Sequence, residues 1–173
     1  MEDTRNVIDK YKGMPHEAIV ADLDANGSSL EIAIDNVERD FNMGTIVRSA
    51  NAFGVRHIHI VGRKQWNKRG AMMTDKYLHV HYYPSVDEFM AAITGKTLIA
   101  VDNTPDSVPL GRATMPSDTV LLFGAEGPGI RQALLDEAAQ VVAIEQFGST
   151  RSLNVGVAAG IAMYAWVRTH RLQ

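Results

Sequence analysis

Short runs of β-branched and aliphatic residues alternate along the chain with segments whose apolar positions recur at helical spacing. That alternation is the pattern of an α/β domain, a mainly parallel sheet flanked by helices. It predicts strands at Leu30–Asp35, His57–Val61, Tyr77–Tyr82, Thr97–Val101, Thr119–Phe123 and Val141–Ile144. Helices are predicted at Thr45–Phe53, Val86–Ile93, Ile130–Ala138 and Val155–Thr169. The runs 97–101 and 119–123 are nearly all apolar, as expected of strands covered on both faces. Residues 1–29 are weakly patterned and read as a short helix and a turn-rich extension, ahead of a single domain over 30–173. Three prolines, Pro105, Pro109 and Pro116, mark 102–117 as a long loop.

Three loop-prone stretches each follow a predicted strand: Asn42-Met43-Gly44, Gly124–Gly129 and Gln146–Asn154. Ligands of open α/β sheets bind beyond the carboxyl ends of the strands, so these stretches are expected to wall one site. Gly124-Ala125-Glu126-Gly127-Pro128-Gly129 is G-x-x-G-x-G, not the dinucleotide fingerprint. It suits either close backbone approach to a ligand or a strand-to-helix turn, and Glu126 is what a turn leaves unexplained. Arg48 stands among Ile46, Val47, Ala50 and Phe53, as a ligand contact or an ion-pair partner. Ser152 and Asn154 precede a small-residue helix and are candidate N-caps.

Composition narrows the chemistry. The chain has 173 residues, 46% of them hydrophobic, enough for one good core and not two. It has no cysteine, which excludes disulfides, thiolate zinc sites and a cysteine nucleophile. A Walker loop is missing, because Met90 stands where Gly95-Lys96-Thr97 would need its first glycine. Asp22-Leu23-Asp24-Ala25-Asn26-Gly27 imitates half a calcium loop, but Ala33 occupies the position of the bidentate glutamate, so an Asx-rich turn is expected. His57-x-His59 and His79-x-His81 have no carboxylate at ligand spacing and read as partly exposed strand histidines, not as a metal site. The net charge of −3 leaves any nucleic-acid contact to a local patch. Arg63-Lys64-Gln65-Trp66-Asn67-Lys68-Arg69 is the dense one, with Arg63, Lys64, Lys68 and Arg69 for phosphates and Trp66 as a stacking face. The acidic N-terminus has no signal-like apolar region and the longest apolar run, Leu153 to Val167, is too short for a bilayer, so a cytoplasmic protein with no membrane contact is expected.

In this order, three stretches resemble the TrmH-like (SpoU-type) RNA ribose methyltransferases of the SPOUT class. Asn36 through Asn42-Met43-Gly44 and Arg48 to Gly54 is similar to the family's first motif, Leu122 to Ile130 to its second, and Ile144 through Ser152-Leu153-Asn154 to its third. The resemblance spans residues 31–168; one departure is Glu145-Gln146, where the family often has Pro-Met. It implies a C-terminal trefoil knot, S-adenosylmethionine as methyl donor without a metal, a homodimer, and RNA as substrate, with tRNA favoured over rRNA. It implies a 2′-O-ribose methyltransferase whose catalytic positions are Arg48, Asn42, Glu126, Ser152 and Asn154. Donor contacts fall on Asp102, Gly124, Ile144 and Leu153. The helix from Val155 is expected at the dimer interface, with Gly156, Ala159 and Gly160 allowing close approach and Tyr164 and Trp166 supplying area. The alternatives are a base-directed methyltransferase of the same superclass and a non-catalytic RNA- or nucleotide-binding module.

Overall fold

In the computed structural model, which describes residues 4–37 and 42–172, seven strands form one sheet. Residues 38–41 of the first motif lie outside the described residues. The strands are β1 (Glu31–Asn36), β2 (His57–Gly62), β3 (His79–Tyr83), β4 (Thr97–Val101), β5 (Val108–Pro109), β6 (Thr119–Phe123) and β7 (Gln140–Ala143). Their order is β3-β2-β1-β6-β4-β7-β5 and every pairing is parallel, so all the carboxyl ends open on one edge. The helices are α1 (His16–Asn26), α2 (Asn42–Ala52), α3 (Val86–Ala92), α4 (Gln132–Leu135) and α5 (Val155–His170).

Period-two alternation sorts the strand side chains into two cores. Ile32, Ile34, Ile58, Ile60, Ile99, Leu121 and Phe123 face one way and pack with Met43, Ile46, Val47, Ala159, Met163 and Trp166 of α2 and α5. Ala33, Val61, Leu98, Ala100, Val120 and Leu122 face the other way, against Phe89 of α3 and Leu134 of α4. A third cluster, Tyr11, Ile19 and Tyr77, fastens the N-terminal extension to the body.

Four expectations are corrected. The Asx-rich turn at 22–26 is helical, because Ile19 is buried and each aspartate finds tertiary partners: Asp22 accepts from Lys10 and Tyr11 (both 2.6 Å), and Asp24 pairs with Arg56 (2.7 Å) and His79 (2.8 Å). The helix expected over 130–138 contracts to Gln132–Leu135, since the backbone of Ile130 and Arg131 is held by aspartates instead. The loop 102–117 contains β5, paired to β7. Gly156, Ala159 and Trp166, expected at a dimer contact, are buried within the chain; Gly156 packs on Thr45, and Trp166 donates to the carbonyl of Pro116 at 2.9 Å.

The histidines also have carboxylates after all, brought by the fold. Register places His57 beside His79 and His59 beside His81, and the rings stack at 5.2–5.3 Å along β2 and β3. His59 donates through Nε2 to Glu31 at 2.7 Å and bonds through Nδ1 to the Tyr83 hydroxyl at 3.1 Å; His57 Nδ1 meets His81 Nε2 at 3.0 Å. Among the described residues no group of three such side chains is arranged to hold a metal. Burial and neighbouring imidazoles push the His57 and His81 pKa values down. Burial opposes ionisation of Glu31, but hydrogen bonds from His59 and Lys96 outweigh it and bring the carboxyl to about 2.

Both shifts make acid destabilising. Below the ordinary histidine value of 6.5 the unfolded chain takes up protons that folded His57 and His81 resist. Glu31 adds stability above 4.5 that fades as pH falls toward 2. Denaturant midpoints should therefore drop as pH falls through 6.5 and again below 4.5. The double variant His57→Asn/His81→Asn should flatten the first drop; an unchanged profile in that variant would refute this account of the histidine row.

Candidate active site

The site grows from the carboxyl ends of β1, β4, β6 and β7. A pocket there is lined by Val101 at the end of β4 with Asp102 and Asn103 after it, by 124–127 and Gly129 after β6, by 142–144 and Gln146 at and after β7, and by 152, 153, 155 and 158 at the start of α5. It holds about 170 Å³ and shares Asn103, Ala143, Ile144 and Gln146 with an adjoining hollow of about 360 Å³. Its walls are apolar at Val142, Ile144 and Leu153 and polar at Asp102, Glu126 and Ser152.

The loop after β6 is pinned at its end by two carboxylates. Asp102 accepts from the Ile130 amide at 3.2 Å and from its neighbour Asn103 at 2.7 Å. Asp35, fully buried at the end of β1, accepts from the Arg131 amide at 2.9 Å and from its Nε at 2.8 Å. Gly124 is required by contact: a Cβ there would lie 2.3 Å from the carbonyl carbon of Gly129. Gly129 is required by conformation, at φ +71°.

At the rim a directed hydrogen-bond chain joins all three motifs. The Asn154 side-chain oxygen caps α5, accepting from the amides of Gly156 (3.0 Å) and Val157 (3.3 Å). Its Nδ2 donates to Asn42 Oδ1 at 2.8 Å, and Asn42 Nδ2 donates to Glu126 Oε2 at 2.7 Å. The cap fixes which way Asn154 points, and that fixes Asn42, which donates in turn to the Glu126 carboxyl group.

Of the sequence-derived candidates, Asn42, Glu126 and Asn154 are thus joined, and Asp102, Gly124, Ile144, Ser152 and Leu153 line the pocket beside them. Arg48 is set apart. Six residues beyond Asn42 is about 1.7 helical turns, which turns Arg48 away from the pocket and into a groove with Asn6, Val7, Ile8 and Arg171. In the basic loop Arg63, Lys64, Lys68 and Arg69 are exposed, but Trp66 is not the stacking face expected. Its ring is only 8% exposed and belongs to the core, with the Lys68 ammonium 5.3 Å from its centroid. Lys68 is also paired with Asp75 at 2.8 Å.

Sequence reasoning missed Asp35 and Arg131, whose one signal is an acid closing an apolar strand. It also left Asn36 without a role; its side chain donates to the carbonyls of Arg63 and Gln65 and ties the basic loop to β1.

With this geometry in place, residues 29–164 match the SpoU rRNA Methylase family. The chain belongs to that family. Among its relatives, the tRNA (guanosine(18)-2'-O)-methyltransferase of Escherichia coli K12 is 26% identical over 78% of this chain and 61% of its own length. This chain therefore spans less than two thirds of that relative. The 23S rRNA (guanosine-2'-O-)-methyltransferase of Acinetobacter baylyi is 28% identical over 93% of this chain and 75% of its own. A crystal structure of an AdoMet-bound rRNA methyltransferase from Sinorhizobium meliloti superposes with a TM-score of 0.72 and 27% identity, over 83% of this chain and 57% of that one. The SpoU fold is thus the architecture around the pocket.

Gly124→Ala should destabilise this SpoU chain by about 1–3 kcal/mol, the usual cost of forcing an atom into a packed site. Urea unfolding of the variant measures it; a wild-type midpoint would contradict the close approach of 124 and 129.

Proposed function

We propose that the protein transfers a methyl group from S-adenosylmethionine to a ribose 2′-hydroxyl of RNA. The observation that carries this reading is the Glu126–Asn42–Asn154 chain standing at the rim of a glycine-walled pocket. Residues 30–173 act as the methyltransferase unit, with 1–29 as a docked extension. Residues 144–154, running from β7 past the pocket to α5, are the segment we assign to the family's trefoil knot.

The residues present suit the donor. Ile144, Val142 and Leu153 offer apolar walls to a purine, Gly124 allows close backbone approach, and Asp102 borders the pocket. Gln146 has a buried Oε1 without a partner among the described residues, an acceptor for an amino or hydroxyl group of an adenosine. S-adenosylmethionine supplies a methyl already activated on a sulfonium, a chemistry that asks for no metal.

The protein's own part is placement and charge. Asn42 and Glu126, fixed by the Asn154 cap, hold the ribose hydroxyl, and Ser152 borders the same space. Alignment of oxygen and methyl can remove several kcal/mol of barrier. Arg48 is exposed and has no ion pair among the described residues, so its fork is available to the RNA backbone. A guanidinium is too weak an acid to serve as base at neutral pH. It holds an RNA phosphate, and the 2′-hydroxyl proton leaves to phosphate or water. The RNA is a structured cytoplasmic RNA, in keeping with the tRNA and 23S rRNA named for the two relatives. Arg63, Lys64, Lys68 and Arg69 contribute to its affinity without Trp66.

The acting species is a homodimer. On α5, Val157 (53% exposed), Ile161 (40%) and Tyr164 (51%) form an outward apolar stripe, and a Cβ on Gly160 would meet nothing within 4 Å. Sedimentation should show a dimer for the wild type at micromolar concentration and a folded monomer for Ile161→Asp. A monomeric, fully active wild type would contradict the assembly.

Arg48→Ala should lower turnover at least tenfold, about 1.4 kcal/mol of transition-state stabilisation. Calorimetric affinity for S-adenosylmethionine should stay within about twofold of wild type, since Arg48 lies outside the pocket. More than a tenth of wild-type turnover in that variant would contradict the role.

A further inference from the structure

Beside the first turn of α2, the N-terminal segment 4–6 and the segment 68–77 enclose a cavity of about 750 Å³ that the chemistry above does not use. Arg5, Lys68, Arg69 and Lys76 line it, a concentration of positive charge in a chain whose net charge is −3. The Arg69 and Lys76 side chains have no ion pair among the described residues. Met72 and Met73 reach into the same space from a backbone that L side chains rarely adopt, with φ of 48° and 64° in succession. The two residues are exposed to 53% and 61%, beside the buried Tyr77, whose ring packs on His16 at 5.2 Å.

Two neighbouring left-handed methionines held out into water are unfavourable for the free protein on both counts, backbone and exposure. Thioethers make soft, polarisable contacts that suit the π-face of a base, and the cations around them suit its phosphates. Asn6 and Tyr77 line both this cavity and the groove that holds Arg48. A Cβ on Gly44 would lie 2.6 Å from the Ala71 amide and 2.7 Å from that of Gly70, so the turn between Arg69 and Met72 packs on the first turn of α2, which carries Asn42.

We propose that this cavity receives an unpaired nucleotide of the RNA substrate, flanking the one that is methylated. Its base lies against Met72 and Met73, and its phosphates lie on Arg69 and Lys76. The inference rests on the methyltransferase reading for the direction in which the RNA runs, toward Asn42.

Fluorescence anisotropy with a labelled, unstructured CA-repeat RNA of about twelve nucleotides, alone and annealed to its complement, tests it. Met72→Gly/Met73→Gly removes both thioethers and puts glycine where its conformational freedom is wanted. That variant should keep its thermal midpoint and bind the single strand about fivefold more weakly or worse, with an unchanged salt slope and unchanged duplex binding. Arg69→Ala/Lys76→Ala should weaken binding and flatten the salt slope by about 0.7 per cation removed. Single-strand affinity within twofold of wild type in the glycine variant, equal losses on both RNA forms, or no single-strand binding by the wild type would each overturn the proposal. Donor calorimetry on the same preparations separates the two claims. A wild type that binds this RNA as described but no donor defeats the methyltransferase reading alone; one that binds donor while the glycine variant keeps its RNA affinity defeats the cavity alone.

Discussion

Everything at the site depends on the hydrogen-bond chain from the first turn of α5 through Asn154 and Asn42 to Glu126. Its direction is forced from one end. The free amides of the helix terminus demand an acceptor, Asn154 supplies its oxygen, and the remaining amide groups follow in order to a carboxylate. Three segments far apart in sequence are thereby held in one geometry: α2, the glycine loop after β6, and the entrance to α5. A change in any of the three side chains disturbs the other two, as expected of a connected polar network.

That chain can form only because the sheet is parallel throughout. Parallel pairing gathers every strand's carboxyl end on one edge, and the crossovers carry α2 and α5 to the same face, where Gly156 packs on Thr45. Asp35 and Asp102 then act as two clasps on the backbone at Ile130 and Arg131. A buried carboxylate such as Asp35 is tolerable because the Arg131 side chain and amide both satisfy it. The rigid frame thus fixes the pocket, while the cationic side chains of Arg63, Lys64 and Arg69 stand exposed beyond it.

What was legible in the sequence follows from the range of the forces involved. β4 and β6 fall on their predicted boundaries because they are buried on both faces and their apolar runs have sharp ends. The ordered motifs singled out Asn42, Glu126 and Asn154, which the fold joins in one hydrogen-bond chain, because Asn42 and Asn154 stand at helix starts and Glu126 in a glycine loop, where local patterning is strong. Trp66 misled because cations beside an aromatic look alike whether the ring faces water or the core; Asn36 and the 69–71 turn on α2 decide that, and both act over long range. The Asx-rich segment misled for the same reason, with Arg56 and His79 supplying partners that a turn would otherwise have found locally. Arg48 was placed on the right helix, but the angle between positions 42 and 48 carries it to another face.

The central claim is transfer of a methyl group to a ribose oxygen. It is tested most directly by incubating the purified protein with S-adenosylmethionine bearing a deuterated methyl and total RNA from cells that lack the protein. Nucleosides from that RNA are then resolved by mass spectrometry. The account predicts one nucleoside whose added mass stays with the ribose fragment on dissociation. Label on the base fragment, or no label from a protein that binds the donor, would contradict it.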